Sequence, residues 1–317
     1  MLLGRPWVVD GGLASALQDD GFSVDGHPLW SARILATNPG AVRKVHTTFL
    51  EAGADIIITA SYQASIPGFQ DHLGTTQDEA ERIMNTSVSL AKEAIQEYES
   101  KFTDKVRKLL VAGSIGPYGA CQADGSEYTG AYMCKVTPEY LKEWHRPRMA
   151  ALVNSGVDLL AVETIPAQAE ALAILDLLQE FPDTKAWLSF SCKDSQHTNY
   201  GDDFGEAVKK CHERAVDQLI AVGLNCTPPQ YVTSLLEKAD TSLPSPSILP
   251  RVVYPNSGEE WVAGKGWAGR SAHWPFLNEV KKWQVLGASV IGGCCRLRPN
   301  DIRDIASVVA PISKRDI

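Results

Sequence analysis

Short apolar segments recur along the chain, and between them apolar residues return with the 3.6-residue period of amphipathic helices. Eight of the short segments predict β-strands at an average spacing of about forty residues, which is usual for a TIM barrel with insertions. Several are rich in valine and isoleucine, as is typical of strands buried on both faces of a parallel sheet. They are Trp7–Asp10, Asp55–Thr59, Leu109–Gly113, Leu159–Val162, Ala186–Phe190, Leu219–Val222, Val252–Tyr254 and Ala288–Ile291.

The segments between the strands carry the signals that begin helices. Residues 77–99 form the clearest helical pattern, because acidic side chains in the first turn suit the positive end of the helix dipole. Thr137 is suited to cap the next helix, with Pro138 in its first turn, and Pro299 begins the last. The strand–helix alternations predict a single (β/α)8 TIM barrel domain spanning residues 1–317, with a doubly wound open sheet as the alternative.

Three long polar loops follow predicted strands three, five and seven, at residues 114–134, 191–205 and 255–269. In TIM barrels the loops after the strands carry the active site. We therefore expect these loops to form a wall or a lid of the site, with plain surface insertions as the alternative. The Pro- and Ser-rich segment 241–247 is too short to separate two domains, which favours one domain.

Composition and charge narrow the class of protein without identifying a function. Hydrophobic residues make up 44% of the chain and charged residues 21%, as in ordinary soluble enzymes. The formal net charge of -8, without a basic run, argues against a nucleic-acid partner. No window approaches the roughly 20 apolar residues of a membrane span. Seven cysteines and an N-terminus without an export signal predict thiols or metal ligands in a cytoplasmic protein, not a disulfide framework.

Three of the cysteines occur where a predicted strand passes into a loop. Cys294 and Cys295 follow Gly292-Gly293 after the last strand, and Cys226 follows the sixth. Adjacent residues of a strand point to opposite faces, but two glycines can turn the backbone so that both thiols face one point. Three thiolates at one rim would bind zinc tetrahedrally and leave one position open, a donor set that favours a soft sulfur as the fourth ligand.

Other interpretations of these cysteines remain open at this point. Free cysteine is among the most buried residue types, so the three could be small core residues. A strand followed by Gly292-Gly293 also resembles the phosphate-binding turn of some barrel enzymes. The other four cysteines have no convergent setting in the sequence; they are Cys121, Cys134, Cys192 and Cys211.

Polar residues at the ends of other strands point to the same rim. In Asp10-Gly11-Gly12 the carboxylate can accept a substrate ammonium group, and the glycines let backbone amides approach a carboxylate, although such a triplet is also a common turn. Glu163 ends the fourth strand, where an unpartnered carboxylate would be costly to bury. Further polar side chains follow the second strand; they are Thr59, Ser61, Tyr62 and Gln63.

Taken in order, six motifs resemble the zinc-dependent homocysteine S-methyltransferase family, and they span nearly the whole chain. The most specific is the Cys-Cys pair after Gly-Gly together with the upstream Asn-Cys. The motifs are Asp10-Gly11-Gly12, Gly53–Asp55 with Thr59–Gln63, Gly113–Gly119, Glu163–Pro166, Gly223–Cys226 and Gly292–Cys295.

The resemblance implies a barrel in which Cys226, Cys294 and Cys295 bind Zn2+ and homocysteine supplies the fourth ligand, to become methionine. No protein side chain is then the nucleophile, because zinc activates the substrate thiolate. The resemblance implies that Asp10 and Glu163 hold the homocysteine amino group. The remaining residues expected to bind substrate are Gly11 and Gly12, through amides near the carboxylate, and Thr59, Ser61 and Asn225.

The methyl donor is the open part of this interpretation. In the betaine-using branch a tyrosine follows the glutamate, whereas here Thr164 does, which argues against betaine. The segment Tyr254–Glu259 with Trp261 resembles the branch that uses S-methylmethionine. S-adenosylmethionine as the main donor and selenocysteine as the acceptor are alternatives. No corrinoid- or folate-binding module is expected, and the sequence does not indicate an oligomeric state.

Two functions of other classes compete with methyl transfer. A hydrolytic zinc barrel would use histidine and carboxylate ligands with a metal-bound water, whereas the candidate ligands here are all sulfur. A non-catalytic zinc or thiol sensor could use the same three cysteines without consuming a methyl donor.

Overall fold

The computed structural model describes residues 5–103, 107–242, 249–262, 266–268 and 276–309. Its strands are β1 (Trp7–Val8), β2 (Ile56–Ile58), β3 (Leu110–Ile115), β4 (Leu159–Ile165), β5 (Ala186–Phe190), β6 (Leu219–Asn225), β7 (Arg251–Tyr254), β8 (Glu260–Val262), β9 (Gly266–Ala268) and β10 (Ala288–Ile291). Its helices are α1 (Leu13–Asp19), α2 (Ile34–Thr37), α3 (Pro39–Ala52), α4 (Ile66–Leu73), α5 (Gln77–Lys101), α6 (Pro138–Asn154), α7 (Gln168–Leu178), α8 (Phe204–Arg214), α9 (Pro229–Ser242), α10 (Phe276–Val285) and α11 (Pro299–Val308).

Eight of the strands form one parallel sheet in the order β1-β10-β7-β6-β5-β4-β3-β2. The two ends of this sheet meet between β1 and β2, where Val9 and Ile56 form a parallel bridge. A side chain reinforces the seam, because the Val8 amide donates to Asp55 Oδ2 at 2.9 Å. The sheet is therefore a (β/α)8 TIM barrel, as the alternation of strands and helices predicts.

The barrel places apolar side chains on both sides of its wall. One cluster fills the interior and includes Val9, Ala161, Trp187 and Val290. A larger cluster lies between the strands and the surrounding helices. Burial on both faces explains why the strands read as continuous apolar runs and not as alternating patterns.

Side-chain caps mark the residues at which two of the helices begin. Thr76 and Glu79 form a capping box at the start of α5, and Thr137 accepts a hydrogen bond from the Tyr140 amide at the start of α6. Each cap satisfies amides that would otherwise lack a partner in the first turn. The helices predicted from Gln77, Thr137 and Pro299 are thus confirmed.

All eight predicted barrel strands are present, but their bounds differ: β1 and β2 are two residues shorter than predicted, whereas β3, β4, β6 and β7 are longer. Strands β4 and β6 continue for three residues, to Ile165 and Asn225, so Glu163 lies within a strand. The predicted loop 255–269 contains the β8–β9 hairpin, while 263–265 and 269 lie outside the described residues, as does most of 241–247. No helix in the described ranges combines the length and apolar character needed to cross a membrane.

Candidate active site

A cavity of about 670 Å³ opens where the barrel strands pass into loops. Its lining brings together side chains from β1, β2, β4, β6 and β10 or the residues that follow them. Eight of the ten predicted site residues line the cavity, and Asn225 lies next to Cys226 in the sequence; the eight are Asp10, Gly11, Gly12, Thr59, Glu163, Cys226, Cys294 and Cys295. Ser61, the tenth, is buried directly behind Thr59.

The three cysteines converge as the sequence predicts. Their sulfur atoms all lie within 4.8 Å of one another, and Cys226 Sγ is 3.5 Å from Cys295 Sγ. Cys226 and Cys294 are joined as a disulfide, with their Cα atoms 5.4 Å apart. Sulfurs bound to one tetrahedral zinc ion lie about 3.8 Å apart, given bonds of about 2.3 Å. Reduction of the disulfide gives three thiols at a spacing that suits a thiophilic metal ion.

The backbone around these cysteines is held in unusual conformations. Cys226 has a φ of 47°, in the left-handed region that a residue with a Cβ seldom adopts. Before the pair, a Cβ on Gly292 would lie 2.7 Å from the Val9 carbonyl oxygen, so only glycine fits there. The Cys294 amide donates to the Pro255 carbonyl at 2.9 Å. Backbone strain of this kind persists where the surroundings impose it, commonly at functional sites.

Burial keeps the Cys295 thiol neutral in the metal-free site. Its pKa is raised to about 11 by desolvation, with a smaller contribution from the carboxylates of Glu127 and Glu163. The Tyr128 hydroxyl lies 3.6 Å from Cys226 Sγ, while 42% of the tyrosine remains exposed. A nearby cation would therefore be needed to hold the Cys295 sulfur as a thiolate at neutral pH.

Two buried carboxyl groups lie in the same cavity. Burial raises the pKa of Asp10 well above its ordinary value, although the Ile58 amide donates to Asp10 Oδ2 at 3.0 Å. Burial likewise raises the pKa of Glu163 to about 7, against the hydrogen bond that Ser114 Oγ donates to it. The charge of Glu163 adds to the rise at Asp10. A cationic group bound between the two would lower both pKa values.

The predicted polar residues after β2 form a chain of hydrogen bonds behind the carboxyl groups. Thr59 Oγ1 and Ser61 Oγ lie 2.7 Å apart, and Ser61 Oγ donates to the Ser114 carbonyl at 2.9 Å. The Ser114 amide in turn donates to Thr59 Oγ1 at 2.9 Å. Thr59 reaches the cavity, whereas Ser61 fixes the backbone that carries the partner of Glu163.

Asn225, at the end of β6, orients the end of β4, which lies two strands away in the sheet. Its Oδ1 accepts hydrogen bonds from the Thr164 amide at 2.6 Å and from Ser189 Oγ at 2.8 Å, while its Nδ2 donates to Thr164 Oγ1 at 2.7 Å. Thr164 has a φ of 60°, so its backbone is strained. Asn225 therefore holds the strained residue next to Glu163.

The two glycines after Asp10 pack closely against two different backbone carbonyl groups. A Cβ on Gly11 would lie 2.6 Å from the Leu297 carbonyl oxygen, and one on Gly12 would lie 2.7 Å from that of Cys294. The Gly12 amide donates to the Leu297 carbonyl at 2.9 Å, so in this conformation it is already engaged within the protein. Gly12 thus lets the loop carrying Cys294 pack against the end of β1.

The segment Tyr254–Glu259 supports the cysteines from behind. The Tyr254 hydroxyl accepts a hydrogen bond from Trp187 Nε1 at 3.0 Å inside the barrel. Asn256 Nδ2 donates to the Cys226 carbonyl at 3.2 Å, and the Ser257 amide donates to the Cys295 carbonyl at 3.2 Å. These contacts fix the loops that carry Cys226 and Cys295. The side chain of Trp261, named with this segment in the sequence analysis, lies outside the described residues.

The loop after β3 contributes residues that sequence reasoning did not single out. Its turn Ser126–Tyr128 brings Glu127 and Tyr128 to the cavity. The buried Glu170 carboxylate anchors this loop, accepting hydrogen bonds from the Tyr118 amide at 2.7 Å and from the Tyr132 hydroxyl. The polar composition of residues 114–134 indicates a wall of the site, but no local spacing identifies which side chains face inward.

Comparisons with known proteins agree with one another. A sequence model described as homocysteine S-methyltransferase matches residues 7–309. Homocysteine S-methyltransferase YbgG of Bacillus subtilis (strain 168) is 43% identical over 303 residues, covering 95% of this chain and 93% of that protein. The betaine-homocysteine S-methyltransferase of Drosophila melanogaster is 41% identical over 295 residues, covering 90% and 88%. The metallated form of the homocysteine methyltransferase MmuM from Escherichia coli superposes with a TM-score of 0.83 at 36% identity, covering 96% of each chain.

Proposed function

The chain belongs to the homocysteine S-methyltransferase family, and we propose that it transfers a methyl group to homocysteine from a sulfonium donor, S-methylmethionine first, with a bound zinc ion. The observation that carries the proposal is the convergence of three cysteine sulfurs in a cavity that also holds two buried carboxyl groups. The metallated form of the E. coli relative supports a metal in this family.

The donor set fits zinc better than other common metal ions. Cys226, Cys294 and Cys295 would hold it in their reduced form, as three thiolates of a tetrahedral site with one open position. When bound, zinc supplies the Lewis acidity that keeps a coordinated thiol deprotonated at neutral pH. The raised pKa of the Cys295 thiol supports this assignment, because a metal ion provides the charge that a buried thiolate requires.

Asp10 and Glu163 would bind the homocysteine ammonium group. Both are at most 7% exposed, and each already has one hydrogen-bonded oxygen, which fixes its orientation. Positioning the amino acid from this side presents its sulfur to the cysteines. Asn225 would keep the Glu163 strand in place through Thr164, and Thr59 lies close enough in the lining to add a polar contact.

The transfer exchanges one carbon–sulfur bond for another. The homocysteine thiol releases its proton to solvent, and its sulfur forms a bond to the methyl carbon. The bond from that carbon to the donor sulfonium breaks, and its electron pair goes to the donor sulfur. The products are methionine and the donor as a neutral thioether. Charge is neutralised when the thiolate attacks the sulfonium, so a site that keeps water away from the reacting atoms suits this step.

The test combines metal content with methyl transfer. Purified, reduced protein is expected to contain about one zinc per chain, and Cys294→Ser is expected to lose both zinc and activity. Cys134→Ser is the matched control, because Cys134 is an exposed free cysteine. Methionine carrying a trideuterated methyl group, measured by mass spectrometry with labelled S-methylmethionine, S-adenosylmethionine and betaine in turn, identifies the donor.

Three outcomes of this test would each contradict a different part of the proposal. Full activity of chelated Cys294→Ser would contradict the zinc mechanism. Zinc binding without methionine from any of the three donors would favour a metal or thiol sensor. Faster turnover with betaine than with either sulfonium would overturn the choice of donor, which rests on Thr164 and the Tyr254–Glu259 segment.

A further inference from the structure

The active-site cavity contains more carboxylates than the homocysteine ammonium group requires. Its described lining holds Asp10, Asp25, Glu127 and Glu163, and no lysine or arginine among the described residues. Asp10 and Glu163 are assigned to homocysteine in the proposed function. The other two come from segments outside the barrel strands: Asp25 lies between α1 and α2, and Glu127 lies in the turn after β3. They make the cavity suitable for a second, cationic ligand.

The carboxylates of Asp25 and Glu127 differ in their partners. Asp25 is satisfied within the protein, because Trp30 Nε1 donates to its Oδ1 at 3.2 Å and Gln18 Nε2 donates to its Oδ2 at 2.9 Å. Glu127 Oε2 is buried and has no hydrogen-bond donor among the described residues. Burial raises the pKa of Glu127 above its ordinary value, which shows the cost of this setting. A buried acceptor without a donor costs about 1–3 kcal/mol unless a ligand satisfies it.

A second acceptor in the same lining is also without a donor. The Gln63 side chain lines the cavity, the residue is only 8% exposed, and its Oε1 has no hydrogen-bond partner among the described residues. Two acceptors without donors call for a ligand group that has several N–H bonds. An ammonium group has three, whereas a sulfonium or a trimethylammonium group has none.

The loop geometry holds Glu127 close to the reacting atoms. The next residue, Tyr128, places its hydroxyl 3.6 Å from Cys226 Sγ. Asp124 Oδ1 accepts a hydrogen bond from the Ser126 amide at 2.9 Å, and the Gly130 amide donates to the Ser126 carbonyl at 2.7 Å. Hydrogen bonds within the protein thus fix the turn, and they hold the Glu127 carboxylate in the same cavity as the three cysteine sulfurs.

We propose that Glu127, with Gln63, binds the α-ammonium group of the methyl donor and so selects sulfonium amino acids over donors that lack an N–H group. This assignment rests on the proposed methyl transfer and specifies its second substrate. It distinguishes S-methylmethionine and S-adenosylmethionine, which both carry an α-ammonium group, from betaine, which does not. Asp10 and Glu163 serve the acceptor, and Glu127 serves the donor.

The test compares two donors that differ only by the amino group. They are S-methylmethionine and (3-carboxypropyl)dimethylsulfonium, its counterpart without the α-ammonium group. At saturating homocysteine, the zinc-loaded wild-type protein is expected to prefer S-methylmethionine in kcat/KM by roughly 10- to 100-fold, the range for a hydrogen bond to a charged group. Glu127→Gln is expected to reduce that preference to less than about threefold, while the KM for homocysteine and the zinc content stay unchanged.

Asp124→Asn is the matched control for this substitution. It removes one negative charge from the same turn, and the asparagine Oδ1 can still accept the Ser126 hydrogen bond. The donor preference of Asp124→Asn is expected to equal that of the wild type. A Glu127→Gln variant that keeps the preference, or that slows both donors by the same factor, would overturn the assignment.

Calorimetry of S-methylmethionine binding separates this inference from the proposed function. Affinity for S-methylmethionine is expected to be at least tenfold weaker in Glu127→Gln than in Asp124→Asn. No methionine formation by the wild type would count against methyl transfer itself. Equal affinity of the two variants, or no binding of S-methylmethionine by the zinc-loaded wild type with homocysteine present, would count against Glu127.

Discussion

Replacing Glu163 with glutamine is expected to stabilise the metal-free protein at neutral and alkaline pH while weakening homocysteine binding. Folding raises the pKa of this carboxyl from its ordinary value of 4.5 to about 7, because the group is buried. A carboxyl with a raised folded pKa binds its proton more tightly in the folded state than in the unfolded chain. Stability is therefore lost as pH rises from 4.5 through 7, and the loss is complete above that range.

The size of the effect follows from the two pKa values. Their difference is about 2.5 (about 7 minus 4.5), and one pKa unit corresponds to 1.36 kcal/mol, so ionisation of Glu163 costs the fold about 3 kcal/mol above pH 7. Glutamine has a similar shape, can still accept the hydrogen bond from Ser114 Oγ and does not ionise. The opposite effect is expected for function, because an ion pair with the homocysteine ammonium group is lost, raising the KM for homocysteine by at least about tenfold.

Denaturant unfolding of both proteins at pH 4.5 and pH 8 measures this directly. Reduced, metal-free protein is used, because a bound dication would itself lower the pKa of Glu163. Glu163→Gln is expected to exceed the wild type in free energy of unfolding by up to about 3 kcal/mol at pH 8 and to differ little at pH 4.5. A difference of the same size at both pH values, or a less stable variant at pH 8, would refute the electrostatic explanation.

Two further predictions concern the fold around the site. His46 is fully buried, and burial lowers its pKa to about 3. The free energy of unfolding therefore falls as pH drops below 6.5, by about 2 kcal/mol at pH 5. His46→Leu should remove this part of the pH dependence in denaturant unfolding, and an unchanged pH dependence would contradict the explanation. Asn225→Ala leaves the Thr164 amide without its acceptor, while Ser189 Oγ keeps the Tyr254 hydroxyl as a partner. The free energy of unfolding should therefore fall by about 1–3 kcal/mol; a loss below about 1 kcal/mol would show that the strained Thr164 backbone does not depend on this contact.

The strands and the convergence of the three cysteines could be predicted from the sequence because their signals are local. Each barrel strand is a short apolar run, and Cys226, Cys294 and Cys295 follow the ends of such runs. Parallel strands of a barrel end at one rim, so residues at their ends must come together. The positions of Asp10 and Glu163 in the cavity follow from the same reasoning.

The part of the cavity lined by the turn Ser126–Tyr128 could not be predicted in this way. Glu127 and Tyr128 reach the site through a turn after β3 whose path depends on Glu170, forty-two residues or more along the chain from them. Such contacts between distant segments have no periodic signature. The inner contacts of Tyr254, and the engagement of the Gly12 amide by Leu297, likewise depend on packing across the barrel.

The position of β10 in the sheet determines when the site can be completed during synthesis. This strand lies between β7 and β1, so a nascent chain that lacks it has two open sheet edges and only one of the three converging cysteines. The two edges can close only after Ala288–Ile291 has left the ribosome, and Cys294 and Cys295 follow immediately. The cluster of three sulfurs is thus complete only in a finished barrel, and a chain that still lacks β10 exposes the edges of β1 and β7.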